Sequence, residues 1–307
     1  MGWFSSSKKC KAGFHKKGDR CFKTNSEMKR ESNLSKKECK LDGKDFCKQG
    51  DRSLKPMISR PGGKSQLADK IIKKAPPHKT YVEPFVGGGA VYLKKPLAEK
   101  NVINDKDKEV VAVFKSFKNG RGFNKCNNTP SKNKFERLKN KKNKSACDVA
   151  FINKLSFGGK NMNYAVSKTG GKRSTFKKRF PKRADLGIKY QKEHLEDYKE
   201  KLKNTAVLNQ DFEKVMANYD SKETFHYLDP PYLGTEKVYK ENKGVSPEKV
   251  CGVAKKMKGK VMISYNDHKG VRKACKGLKI KKVQTFYSMN SLSDNRVGNK
   301  ELIITNY

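Results

Sequence analysis

The rhythm of apolar and polar positions changes along the chain and predicts alternating helices and strands. Between Gln66 and Ala75 the apolar residues Leu67, Ala68, Ile71 and Ile72 fall at helical spacing, which predicts an amphipathic helix after a glycine loop. Tyr81 to Val86 reads as a strand running into Gly87-Gly88-Gly89, and Ala90 to Leu93 as the opening of a helix. Val102 to Asp105 is the next expected strand and Val110 to Phe117 the helix after it. Later, a helix is expected around Tyr190 to Leu202 and another near Pro247 to Met257. Strands are expected at Ala206 to Leu208, Phe225 to Leu228, Lys260 to Ser264, Val283 to Tyr287 and Leu302 to Thr305. This order predicts a parallel sheet and hence an α/β fold.

Two stretches interrupt the alternation. Residues 1–55 are polar, Lys-rich and dotted with cysteine, without apolar periodicity long enough for a core element, and read as a basic N-terminal extension. Residues 119–184 are rich in Gly, Asn, Ser and Lys, with short aromatic-bearing pieces such as Phe151 to Phe157, and read as an insertion. The expected organisation is therefore a core formed by 56–118 and 205–307, with 119–204 inserted into it.

Charge narrows the class of partner. The chain of 307 residues carries 72 Lys+Arg against 31 Asp+Glu, a formal net charge of +41. Such an excess draws a protein to polyanions, nucleic acid above all, independently of sequence. Most of it is lysine, 61 against 11 arginines, which codon bias in an AT-rich genome also produces. Lys139 to Lys144 and Lys177 to Arg183 are local concentrations. No apolar run is long enough for a membrane span, and no membrane partner is expected. Cys10, Cys21, Cys39 and Cys47, with His15, suit either a zinc site or two disulfides, since no CxxC pair decides between them. Cys126, Cys147, Cys251 and Cys275 read as reduced thiols of an intracellular protein.

Two constellations carry chemistry. Glycines between a strand and a helix let the backbone approach a nucleotide-like cofactor, and an acidic residue ending the next strand can take ribose hydroxyls. Gly87, Gly89 and Asp105 have that arrangement. More specific is Asp229-Pro230-Pro231-Tyr232, which closes the apolar strand ending at Leu228. The lone pair of an amine on a heteroaromatic base is delocalised into the ring. A carboxylate and a backbone carbonyl that accept its two hydrogens help to localise that pair, while an aromatic ring fixes the plane of the base. Asp229, the Pro230 carbonyl and Tyr232 are suited to those tasks, and Pro230 and Pro231 stiffen the backbone between them.

With these motifs in order, residues 56–307 resemble the Dam-like group of DNA adenine methyltransferases. The matching pieces are Pro61 to Lys64, Tyr81 to Gly89, Asn104-Asp105, Asn153 to Gly159, Asn209 to Phe212, Asp229 to Tyr232, Ser264 to Asp267 and Glu301 to Ile303. The resemblance implies a Rossmann-like S-adenosylmethionine-dependent methyltransferase core, with a small inserted target-recognition domain, acting on the exocyclic amine of adenine in duplex DNA. It implies that Lys64 meets the donor's methionine part, Gly87 and Gly89 shape the pocket, Asp105 holds the ribose, and Asp211 and Phe212 lie near the donor's adenine. Arg60, Glu83, Phe85 and Asp229 complete the expected cofactor-binding set, and no metal is implied. Asn153, Lys154, Lys160, Asn161, Asn163, Lys172 and Arg173 are the expected DNA contacts, with the target adenine turned out of the duplex. Two residues depart from the family pattern: Arg60 replaces the usual aromatic residue, and Met162 stands where many members carry an arginine that reaches DNA. A companion restriction endonuclease is a further implied partner, and an intracellular location an implied setting. An RNA methyltransferase, or an inactive DNA-coating protein of the same fold, would carry several of the same features.

Overall fold

The computed structural model describes residues 53–126, 131–156, 161–164, 188–233, 245–285 and 299–307, together with two strands near the N-terminus, β1 (Phe14–Lys17) and β2 (Arg20–Lys23). The chain divides into two compact units, Met1–Lys48 and Gln49–Tyr307. In the first, β1 and β2 pair antiparallel with Phe14 opposite Lys23 and Lys17 opposite Arg20.

The second unit is built on a sheet of seven strands: β3 (Thr80–Glu83), β4 (Lys100–Asn104), β5 (Thr205–Leu208), β6 (Thr224–Leu228), β7 (Lys260–Asn266), β8 (Lys279–Thr285) and β9 (Asn299–Thr305). Their order is β5-β4-β3-β6-β7-β9-β8. The first five run parallel, while β9 is antiparallel to both β7 and β8. This is the Rossmann-like α/β architecture, with an antiparallel edge.

Strand composition follows from burial on both faces, which favours near-continuous apolar runs over alternation. β6, Thr-Phe-His-Tyr-Leu, is buried at every position. Its successive side chains serve opposite layers. Phe225 and Tyr227 join Tyr81 and Ile103 under α1 (Ala68–Lys73), α2 (Lys108–Lys118) and α5 (Leu195–Leu202). Leu228 instead joins Ile263, Tyr265 and Leu302 under α6 (Phe212–Asn218), α7 (Pro247–Lys256) and α8 (Lys269–Ala274). Leu54 belongs to the first cluster and donates its N–H to Leu93 O at 3.1 Å, so core packing begins before residue 55.

Several elements differ from expectation. The helix expected to open at Ala90 to Leu93 is only a short run of turns, with Leu93 N–H to Gly89 O at 3.0 Å and Lys95 N–H to Val91 O at 2.9 Å. Pro96 explains the stop, because it has no N–H to donate and disfavours helical geometry at Lys95. The stretch read as an insertion, for which no helix is expected, contains α3 (Lys132–Lys139) and α4 (Ala146–Leu155), started by Ser131 and by a Ser145–Asp148 capping box. Phe135, Leu138, Phe151, Ile152 and Leu155 form a separate small core there. The thiol expectation is corrected as well. Cys126 is bonded to Cys147, tying the segment after α2 to α4, and Cys251 is bonded to Cys275, tying α7 to the end of α8. The fold brings their Cα atoms to 5.1 and 5.2 Å, within disulfide reach, and no spacing rule in the sequence announces it. The side chains of the four earlier cysteines lie outside the described residues. Among the described residues no group of ligands suits a metal, and no helix is long and apolar enough to cross a membrane.

Candidate active site

Strand order reverses between β3 and β6, since the chain fills one side of the sheet through β4 and β5 and then the other through β7. In open α/β sheets the crevice beyond the carboxyl ends of strands at such a reversal is where ligands bind. A cleft of about 790 Å³ lies there, walled by the ends of β3 and β6 and by the Arg60 to Ser65 loop.

On the β3 side, Asp105 is the electrostatic centre. One oxygen accepts Gly87 N–H at 2.9 Å and the other accepts Asp107 N–H at 2.9 Å. Burial pushes its carboxyl up to about 6, against the pull of those donors and of nearby Arg60. Arg60 is ion-paired with Asp107, whose second oxygen caps α2 by accepting Glu109 N–H at 2.8 Å. The guanidinium thus ties the loop before α1 to the end of β4. Glu83, the last residue of β3, is 2% exposed and accepts the Tyr81 hydroxyl at 2.7 Å. Burial raises its carboxyl to about 8, and the negative charge of Asp229 adds to the shift.

Gly87 has φ +51° and lines the cleft. Gly88 also lines it and is the more crowded: a Cβ there would come within 2.3 Å of Ile58 O. The sequence offered Gly87 and Gly89 for the pocket. Gly89 instead backs onto the core, where a Cβ would meet Phe114 at 2.8 Å. Asp211 and Phe212 are likewise not on the cleft wall. Asp211 caps α6 through Glu213 N–H at 3.0 Å, and Phe212, 3% exposed, packs its ring 5.2 Å from Phe85, which does line the cleft.

On the β6 side, Asp229, Pro230, Pro231 and Tyr232 all line the cleft. Lys64, 3% exposed, places Nζ 2.7 Å from Asp229 Oδ1 and 2.8 Å from Gly62 O, with the Tyr232 ring centroid at 4.6 Å. This position joins the glycine loop to the Asp-Pro-Pro-Tyr segment, which motif spacing alone does not reveal. Ser264 Oγ, on β7, donates to the same oxygen of Asp229 at 2.9 Å.

The expected DNA contacts divide. Asn161 and Asn163 line the cleft mouth beside Met162, the exposed large apolar side chain among the described residues. Asn161 adopts φ +57°, a left-handed conformation that Asn tolerates better than most residues. Asn153 is corrected: it is 2% exposed, and its amide exchanges hydrogen bonds with both backbone groups of Ser59 at 2.9 and 2.8 Å. It also donates to Asn161 Oδ1 at 3.1 Å, so it secures the 161–163 turn against the loop before α1. Lys154 is only partly exposed and off the cleft, and burial lowers its ammonium pKa. Lys160, Lys172 and Arg173 lie outside the described residues. Lys106 also lines the cleft, as do Lys139 and Lys144, the two ends of a lysine concentration that the sequence does not tie to the site, and Lys144 is paired with Glu109 at 2.8 Å.

Comparison with known proteins points to one family. The family model described as D12 class N6 adenine-specific DNA methyltransferase matches residues 61–289. A type II methyltransferase of Methanocaldococcus jannaschii, M.MjaIII, is 29% identical over 298 residues, covering 83% of this chain and 99% of that protein. The type II methyltransferase M.CviBI of Paramecium bursaria Chlorella virus NC1A is 28% identical over 58% of this chain and 69% of its own length. A DNA adenine methylase of Haemophilus influenzae is 25% identical, covering 82% of this chain and 96% of its own.

Proposed function

Because the chain belongs to the D12 class N6 adenine-specific DNA methyltransferases, we propose that its cleft holds S-adenosylmethionine on the β3 side and the target adenine on the β6 side, with Asp229 facing both. The observation that carries this reading is the continuity of the cleft from Glu83 and Asp105 to Asp229 and Tyr232. Its volume falls in the range of small-molecule sites, and the buried Glu83 and partly buried Asp105 carboxylates suit a ligand that bears an ammonium group and ribose hydroxyls. Glu83 would take the ammonium, Asp105 the ribose, and Gly87 with Gly88 would let the backbone come close.

When bound, S-adenosylmethionine supplies an electrophilic methyl group on a sulfonium centre. The protein's own work is alignment. Asp229 and the Pro230 carbonyl accept the two hydrogens of the adenine amine, which orients the nitrogen lone pair, and Tyr232 stacks on the base. A base inside a duplex cannot reach these groups, so it is turned out of the stack first. Asn161, Met162 and Asn163 stand at the mouth through which it would enter. Positive surface charge adds affinity that is independent of sequence and sensitive to salt.

The test is transfer of labelled methyl to unmethylated duplex DNA and to RNA, comparing the wild-type protein with Asp229→Ala, followed by nucleoside analysis. N6-methyladenine in DNA, lost in the variant, is the expected result. Label in RNA alone, or undiminished transfer by Asp229→Ala, would overturn it. The type II names of two relatives support a companion endonuclease acting on the same sequence, inside the compartment that holds the DNA. Resistance of methylated DNA, but not unmethylated DNA, to cleavage in extracts of the source cells tests that extension.

A further inference from the structure

Ser264-Tyr265-Asn266-Asp267 is a motif to which the function above gives no task. Ser264 is fully buried on β7, and its Oγ lies 2.9 Å from Asp229 Oδ1. On its other side, also at 2.9 Å, is the hydroxyl of Tyr227, fully buried on β6. An ionised carboxylate only accepts, and a serine hydroxyl has one proton to give. With Ser264 donating to Asp229, Tyr227 must be the donor to Ser264. Leu228 O is a weaker alternative acceptor for Ser264, at 3.4 Å. Burial and the nearby charge of Asp229 raise the Tyr227 phenol well above its ordinary value, so its proton stays in place. Hydrogen bonds therefore run one way, Tyr227 to Ser264 to Asp229.

Lys64 Nζ reaches the same Oδ1, so both named donors fall on one oxygen. The terminal torsion of an aspartate is soft. Two donors fixed on one oxygen, from β7 and from the loop before α1, remove that freedom before substrate arrives. We propose that Ser264, backed by Tyr227, is a positioning residue for methyl transfer: it anchors Oδ1 of Asp229 so that Oδ2 accepts the hydrogen of the target amine. This inference rests on the reading of Asp229 as the amine acceptor.

The experiment uses the full chain with Ser264→Cys, Ser264→Thr, Tyr227→Phe, the double variant Tyr227→Phe/Ser264→Cys, and Asp229→Asn. Cysteine keeps the volume but donates weakly, whereas threonine keeps the hydroxyl and adds a methyl group. Measured are kcat and KM on unmethylated duplex DNA and the Kd of S-adenosylhomocysteine by calorimetry. If the hydroxyl relay operates, Ser264→Thr keeps most of kcat, while Ser264→Cys lowers kcat on the order of tenfold to a hundredfold with KM and Kd nearly unchanged. Tyr227→Phe lowers kcat less, and the double variant is no worse than Ser264→Cys alone, because Tyr227 acts through Ser264. A serine that merely packs predicts the reverse order, threonine worse than cysteine, and that order would overturn the proposal. So would wild-type kcat in Ser264→Cys while Asp229→Asn is inactive. Full activity of Asp229→Asn would instead remove the underlying reading. Should both Ser264 variants lose cofactor binding, Tyr227→Phe decides, by a reduced kcat with retained Kd or by none.

Discussion

Glu83 makes the cofactor side of the site accessible to a thermodynamic test. Its carboxyl is raised to about 8, chiefly by burial, so at pH 7 it is about 90% protonated in the free protein. A cation within a few ångströms lowers an acid by about one to three units. Seating the ammonium of the ligand's amino-acid part there brings Glu83 to about 6, and binding at pH 7 then releases about 0.8 proton. S-adenosylhomocysteine carries the same ammonium and does not react. Titrated into the protein in phosphate and in Tris, it should give enthalpies that differ by the released protons times the difference in buffer ionisation enthalpy. Glu83→Gln should abolish the difference and weaken binding. A buffer-independent enthalpy in the wild-type protein would refute the reasoning. The stability of the free protein supplies the matching sign. Because the folded value lies above the unfolded one, Glu83's contribution is full below about 4.5. It is lost at about 1.4 kcal/mol per unit as pH rises from there to about 8. The melting temperature should fall across that window, and saturating ligand should reduce the slope.

Three further outcomes are expected. The Cys126–Cys147 bond closes a separation of 21 residues, worth about 3 kcal/mol by loop entropy, so Cys126→Ser/Cys147→Ser should lower the melting temperature by several degrees; an unchanged transition would show that the bond stabilises nothing. Gly88→Ala places a Cβ 2.3 Å from Ile58 O, against backbone that cannot yield cheaply, and calorimetry should show at least about a tenfold loss of S-adenosylhomocysteine affinity in a protein that still melts cooperatively. Met162 is 45% exposed at the cleft mouth, so Met162→Arg should alter which adenines are methylated, mapped by sequencing, and leave cofactor affinity unchanged.

What could be read from the sequence, and what could not, follows the range of the interactions concerned. β3, β4 and β6 were legible because each is a short apolar run ending at a motif, and Asp229 to Tyr232 because its groups are contiguous in the chain. α3 and α4 were hidden by lysines that dilute their apolar stripe, yet Ser131, Ser145 and Asp148 were local cap signals that could have found them. Gly18-Asp19 between β1 and β2 was likewise a two-residue hairpin signal that lysine content obscured. β8 begins four residues before the expected Val283, since Lys279, Lys281 and Lys282 suit an exposed sheet edge and mask its alternation.

The differences within the site share one cause: residue type states what a side chain can do, and tertiary structure decides which task engages it in the free protein. Asn153 has the chemistry of a base reader, but both ends of its amide are taken by the Ser59 backbone. Lys64 has the charge to meet a ligand carboxylate, and in the free protein that charge rests on Asp229. Asp211 and Asp107 have the same functional group and both cap helices, yet only Asp107 also reaches the cleft, because Arg60 draws the loop before α1 toward it. The converse holds for Ser264, whose small neutral side chain gives no signal by itself. Its significance arises only when β6 and β7 pair with Leu228 beside Ile263, which sets Ser264 next to the strand end that carries Asp229.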